Sequence, residues 1–176
     1  MTSRRLPLIL AVTTATIAVC SCDSPPTASA SPTPTPVVLD HCLVGTWKSA
    51  TISGSISISG ARVPLSGGAG EVLLIGPTGS VSTDDTHTAP LAGTAPDGSA
   101  YKLAQSGTAT GRISASAGRI SVKLDQPTQL TVSLFRNGAL VQSQHPGSAT
   151  DSYTCTAGSS LVITGSGGTV STYSPA

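Results

Sequence analysis

Few residues in this chain are able to do chemistry, and most of them are scattered. The densest group is Asp84-Asp85-Thr86-His87. If the strand before it continued, Asp85 and His87 would project from one face and could share a cation. No third or fourth ligand is identifiable, so a solvated loop is expected there, and no metal. Glu71 is the single glutamate, which excludes a paired-glutamate hydrolase and leaves an aspartate pair unsupported. Serines abound, but there is no Gly-x-Ser-x-Gly elbow, and His41, His87 and His145 show no triad arrangement. The glycine-rich run at 66–70 precedes a strand rather than a helix, so it is not a phosphate loop. Neither an enzyme nor a cofactor is expected.

The four cysteines say more. Arg4 and Arg5 open a short positive region, and residues 6–19 are apolar but shorter than the roughly 20 residues of a membrane span. A positive start, a short apolar middle and small residues after it describe an export signal. Val19-Cys20-Ser21-Cys22 resembles the lipobox of a bacterial lipoprotein, with Ser21 at the cleavage edge and Cys22 as the lipidated residue. Cys20 fits less well, because bulky Val19 would then stand where the peptidase wants a small side chain. An ordinary secretory signal cleaved nearby is the alternative. Residues 1–21 are thus expected to be a lipoprotein signal peptide. A thioether-linked diacylglycerol on Cys22 contributes ~0.8 kcal/mol per buried methylene over two chains. That would hold the protein on the extracytoplasmic face of the cell membrane without crossing it.

Residues 22–40 are expected to form a lipidated cysteine and a disordered tether. Their prolines lack backbone donors, and Ala, Ser and Thr offer little to bury. Cys42 and Cys155 remain in the exported part, near the two ends of the domain. An oxidising compartment favours a disulfide between them, closing a loop of about 113 residues for ~4–5 kcal/mol at most. Free thiols or a metal site are the alternatives. Neither cysteine has a C-x-x-C partner, and only His41 is adjacent.

These residues must be positioned by strands. The 176-residue chain has room for one domain and is 10% charged and 3% aromatic, so its core must come from Val, Ile, Leu and Ala. The formal charge of +1 gives no electrostatic case for nucleic acid. Removing Arg4 and Arg5 with a leader leaves seven basic residues against eight acidic ones. From residue 41 onward, alternation replaces helical periodicity. The run at 55–59 alternates Ser with Ile56 and Ile58. The run at 119–124 turns Ile120, Val122 and Leu124 inward, and residues 129–144 alternate Leu130, Val132 and Leu134 before Asn137-Gly138. Asn-Gly is the strongest short hairpin signal, since both central residues of a type I′ turn need φ > 0. Tight turns are also expected at 76–79, 116–118 and 165–168. About ten short strands follow, as an antiparallel sandwich or an up-and-down barrel. The cysteines favour the barrel, because closure brings the first strand to one near the end.

Cys42-Leu43-Val44-Gly45-Thr46-Trp47 resembles the opening of the lipocalin and calycin barrels, with Gly45 and Trp47 as the Gly-x-Trp motif. The whole pattern is similar to a group of uncharacterised lipocalin-like exported lipoproteins of actinobacteria, with a Tyr-x-Cys, here Tyr153 to Cys155, near the end. The resemblance spans about residues 41–174 and implies an all-β, lipocalin-like up-and-down barrel over 41–176, with Gly45 and Trp47 at its floor. Lipocalins commonly pack that tryptophan under a basic residue of the last strand, where this chain has Ser174. Two functions are then expected as alternatives: a barrel holding a small apolar ligand, or a structural or protein-interaction domain displayed on a stalk. The sequence names no protein partner.

Overall fold

A computed structural model of the chain describes residues 39–176. The expected signal peptide (1–21), Cys22 and the tether as far as residue 38 lie outside the described residues. The rest is strand and turn. In chain order the elements are β1 (Gly45–Ile58), β2 (Ala61–Gly67), β3 (Val72–Ile75), β4 (Ser80–Asp84), β5 (Leu91–Thr94), β6 (Ala100–Ser106) and β7 (Thr108–Ser116). β8 (Arg119–Leu124), β9 (Thr131–Arg136), β10 (Ala139–Gln144), β11 (Ala149–Thr156), β12 (Ser160–Thr164) and β13 (Val170–Pro175) complete them.

Thirteen strands stand where about ten are expected from the sequence, and every pairing is antiparallel. The turns form where the residue types demand. Asn137 and Gly138 have φ of 49° and 84°, as a type I′ hairpin requires. Ala117-Gly118 and Ser59-Gly60 repeat that sign pattern. Alternation fixes which face is buried: along β7, Ala109, Gly111 and Ile113 are buried while Thr108, Thr110, Arg112 and Ser114 are exposed.

Eight strands close into a barrel. The order runs β1-β13-β12-β11-β8-β7-β4-β3, and β3 returns to β1 through Gly45–Lys48 opposite Ile75–Val72. Read along the chain, this is an up-and-down meander interrupted three times, by β2, by the β5–β6 hairpin and by the β9–β10 hairpin. The interruptions assemble a second, open sheet in the order β2-β5-β6-β9-β10. The two sheets share one strand. The first half of β1 belongs to the barrel, and Ile52–Ile58 pairs with β2. β2 and β5 cross closely but pair at a single position, Ser66 with Ala92. Gly93 permits that crossing, since a Cβ there would lie 2.0 Å from the Pro64 carbonyl oxygen.

Each sheet has its own core. The barrel buries Trp47, Leu73, Ile75, Ile113, Ile120 and Leu161, with Leu39 and Leu43 packed among them. The wing buries Ile52, Val63, Leu65, Leu91 and Tyr101. Full burial of a Leu or Ile side chain contributes ~1.5–3 kcal/mol, so a core of this kind stabilises the fold without many rings.

The N-terminal end differs from expectation. Leu39 and Asp40, placed in the tether on composition, belong to the packed domain: Leu39 is buried, and Tyr153 donates its hydroxyl hydrogen to Asp40 Oδ2. Cys42 lies in the turn before β1, not on a strand. It is bonded to Cys155 on β11, with Cα atoms 5.8 Å apart. Two strands, β13 and β12, separate β1 from β11. The bond therefore spans the end of the barrel and fixes the 39–44 segment across it, instead of stitching the β1–β13 seam. The barrel closes by itself through β3, so the cross-link is free to hold the plug.

Candidate functional site

The barrel end beside Cys42 is closed by the plug. Trp47 is buried there, and its Nε1–H donates to the Leu43 carbonyl at 2.9 Å. That backbone oxygen satisfies the indole, and Ser174, opposite Lys48 in the β1–β13 register, takes no part. Among the described residues the cations that stack on rings do so on the wing: Lys102 over Phe135 and Arg136 over Tyr101, each 5.8 Å from the ring centre. Gly45 stands at the start of β1, opposite Ile75.

The other end points toward the wing and holds the polar residues. Glu71 immediately precedes β3, in phase with inward-facing Leu73 and Ile75. The glycine-rich segment before it makes this placement possible. Gly68 has φ of +70° and lies so close to Ile52 that a Cβ would approach its side chain to 2.6 Å. Buried Ser49 ties the segment down: its Oγ donates to the Gly68 carbonyl at 2.6 Å and accepts from the Glu71 amide at 2.9 Å. The run at 66–70 thus serves packing and delivers a carboxylate into the barrel.

Once there, Glu71 enters a hydrogen-bonded group drawn from two strands and the loop after β4. Tyr173 on β13 donates to Oε2 at 3.1 Å, and Thr83 on β4 lies 3.2 Å from Oε1 and 3.1 Å from Asp85 Oδ2. Thr88 donates to Asp85 Oδ1 at 3.0 Å. The group is electrostatically strained. Burial, then the nearby charge of Asp85, push the Glu71 carboxyl up to about 7 against the hydrogen bonds from Tyr173 and Thr83. Burial also raises Asp85, and burial with the charge of Glu71 raises Tyr173.

The expectation for residues 84–87 is thereby divided. β4 ends at Asp84, so Asp85 and His87 do not share a strand face; Asp84, Thr86 and His87 are exposed, whereas Asp85 is buried and bonded inward. No group of three metal-ligating side chains occurs among the described residues.

Above the plug lies a cavity of about 280 Å³. Leu73, Ile75, Val81, Ile113, Ile120 and Ile163 form its wall, and Glu71, Thr83 and Tyr173 reach it from the polar group. Ile52, Gln105, Leu130 and Pro146, from the wing and its connections, form the roof. Exposed Gly147 and Ala149 belong to the lining as well and mark where it opens. Gln105 is unusual, because its Oε1 is buried and has no hydrogen-bond donor. Nothing in the sequence singled out this site, although one signal was present: Glu71 shares the two-residue phase of Leu73 and Ile75, and Asp85 that of Val81 and Thr83.

No protein-family model, curated protein or solved structure matches this chain. What fold and site define is a class by architecture: an all-β protein with a closed eight-stranded antiparallel barrel of the lipocalin-like type, an inserted wing and a carboxyl-bearing interior.

Proposed function

We propose that this chain is a lipid-anchored lipoprotein of the cell envelope whose barrel binds a small, largely apolar ligand. The observation that carries the ligand reading is the cavity itself, walled by aliphatic side chains and provided with a few hydrogen-bonding groups at one end. Binding sites for small molecules have that composition. An apolar cavity of ~150 Å³ accommodates benzene, so about 280 Å³ has room for a ring with a short chain. The anchor reading is supported by the export signal and the lipobox-like Val19–Cys22, and a disulfide suits that compartment. Membership of the actinobacterial lipocalin-like lipoproteins rests on the two terminal motifs.

Native mass spectrometry of protein purified from its own host tests the ligand. A reproducible adduct of small mass is the expected result, and a clean apo mass in several preparations refutes it. The anchor has its own test. Cys22→Ala should move the protein from the membrane fraction to the soluble or culture fraction, and Cys20→Ala should not. Loss of lipid labelling in the Cys20 variant alone refutes the cleavage site.

A second reading has one observation in its favour. β10 is the bare edge of the wing, with Leu140 and Val141 more than half exposed, as on a domain that presents strands to a protein partner.

A further inference from the structure

The barrel cavity is rich in acceptors and lined by no cation. Glu71, Asp151 and Tyr173 are the ionisable groups among its lining residues, and no lysine, arginine or histidine is among them. Tyr173 occupies one acceptor direction on Glu71 Oε2, and Thr83 shares its single hydroxyl hydrogen between Oε1 and Asp85, so each Glu71 oxygen keeps an acceptor direction available. Gln105 lines the same cavity with an enclosed Oε1 that accepts nothing, and so bears a desolvation penalty with no compensation. These are the complements of a group that only donates.

We infer that the ligand of this barrel is a small organic amine, whose ammonium group donates to Glu71 and Gln105 while its hydrocarbon part lies along Leu73, Ile113 and Ile120. The inference rests on the ligand-binding reading above and supplies its chemical class. An ammonium has three donors and no acceptor, so it matches this set without leaving a polar atom of its own unpaired. A carboxylate ligand would bring a third negative charge against Glu71 and Asp151. Above about pH 7, where Glu71 is ionised, a neutral alcohol would leave it buried without a counter-charge. The raised pKa of Glu71 has the same meaning: burial and Asp85 disfavour its charge, and an adjacent cation relieves that directly.

Three ligands of matched shape test this by calorimetric titration of the full chain at pH 8: phenethylamine, 2-phenylethanol and phenylacetate. The amine should bind at least tenfold more tightly than the alcohol, and phenylacetate should give no heat. Glu71→Gln should reduce that preference to within about twofold, and Gln105→Leu should weaken the amine by severalfold. Equal affinity for amine and alcohol, or tightest binding by phenylacetate, overturns the amine assignment and leaves the ligand-binding reading intact. Binding by none of the three overturns both. The wild-type series alone decides the matter if either variant fails to fold.

Discussion

In the barrel, β1 is paired on both edges, with β13 on one side and β3 on the other, and the ring leaves no strand bare. In the wing, the sheet runs out at β10, all six residues of which are exposed. The same alternating strand chemistry thus ends in two ways. The barrel relies on pairings between distant parts of the chain, β1 with β13 above all, and encloses a cavity. The wing joins its hairpins through β6 with β9 and hangs on half of one shared strand. Its single ion pair, Arg136 with Asp97 at 3.1 Å, is exposed on both sides and contributes little in water. Closure, not strand composition, is what gives the barrel an interior.

That contrast can be broken by mutation. The largest effect is expected at Leu161, fully buried against the plug: Leu161→Ala should cost ~3–5 kcal/mol in urea unfolding. A cost below ~1 kcal/mol would mean the barrel core is loosely packed. Next, Cys42→Ser with Cys155→Ser should cost ~2–5 kcal/mol and lower the melting temperature by at least ~10 °C. Non-reducing peptide mapping of the purified protein should recover that linked pair, and two free thiols would sink the cross-link.

The third effect depends on pH. The Glu71 carboxyl titrates near 4.5 in an ordinary setting and about 7 in the fold, so between those values the folded chain holds a proton that the unfolded chain releases. The stability contributed at Glu71 should therefore be greatest below about 4.5 and fall as pH rises toward 7, by ~3 kcal/mol in all. Asp85 is raised as well and acts in the same direction. Glu71→Gln should flatten most of this slope; a wild-type stability that rises through the window contradicts the buried carboxyl. The smallest effect belongs to the wing edge. Leu140 is 59% exposed, and Leu140→Ala should change stability by less than ~0.5 kcal/mol. A cost like that of Leu161→Ala would erase the distinction between closed and open edges.

Much of the architecture was legible in the sequence, because strand alternation and turn chemistry are local. The inward phase of Ile120 and Leu130 and the φ > 0 pair at Asn137-Gly138 could be read directly. β2 and β5 were not legible. β2 carries Pro64 and glycine at its end, and β5 is four residues with glycine third, so both lack a strand's usual signature. The wing was missed with them, since an insertion looks like continued meander until its partners are known. The site was hidden for a different reason. Glu71, Asp85 and Tyr173 are joined by barrel closure and the β3–β4 register, and only the phase of Glu71 with Leu73 and Ile75 hinted that a charged residue faces inward. Residue 41 as the domain start was a compositional boundary, and the buried side chain of Leu39 shows why composition is a poor guide there.

The cross-linked plug also has a mechanical consequence. Among the described residues, 39–41 precede Cys42, so a pull on the chain at Leu39 reaches a covalent bond almost at once. The force then leaves the backbone sideways and enters β11 through Cys155, bypassing the β1–β13 ladder. β11 lies between β8 and β12 and is held on both edges. Its hydrogen bonds run across the strand, so tension along it is shared by the whole set instead of opening them one by one. A domain tugged from that end would resist unravelling better than the same domain tugged from its C-terminus, where β13 ends without any such clamp.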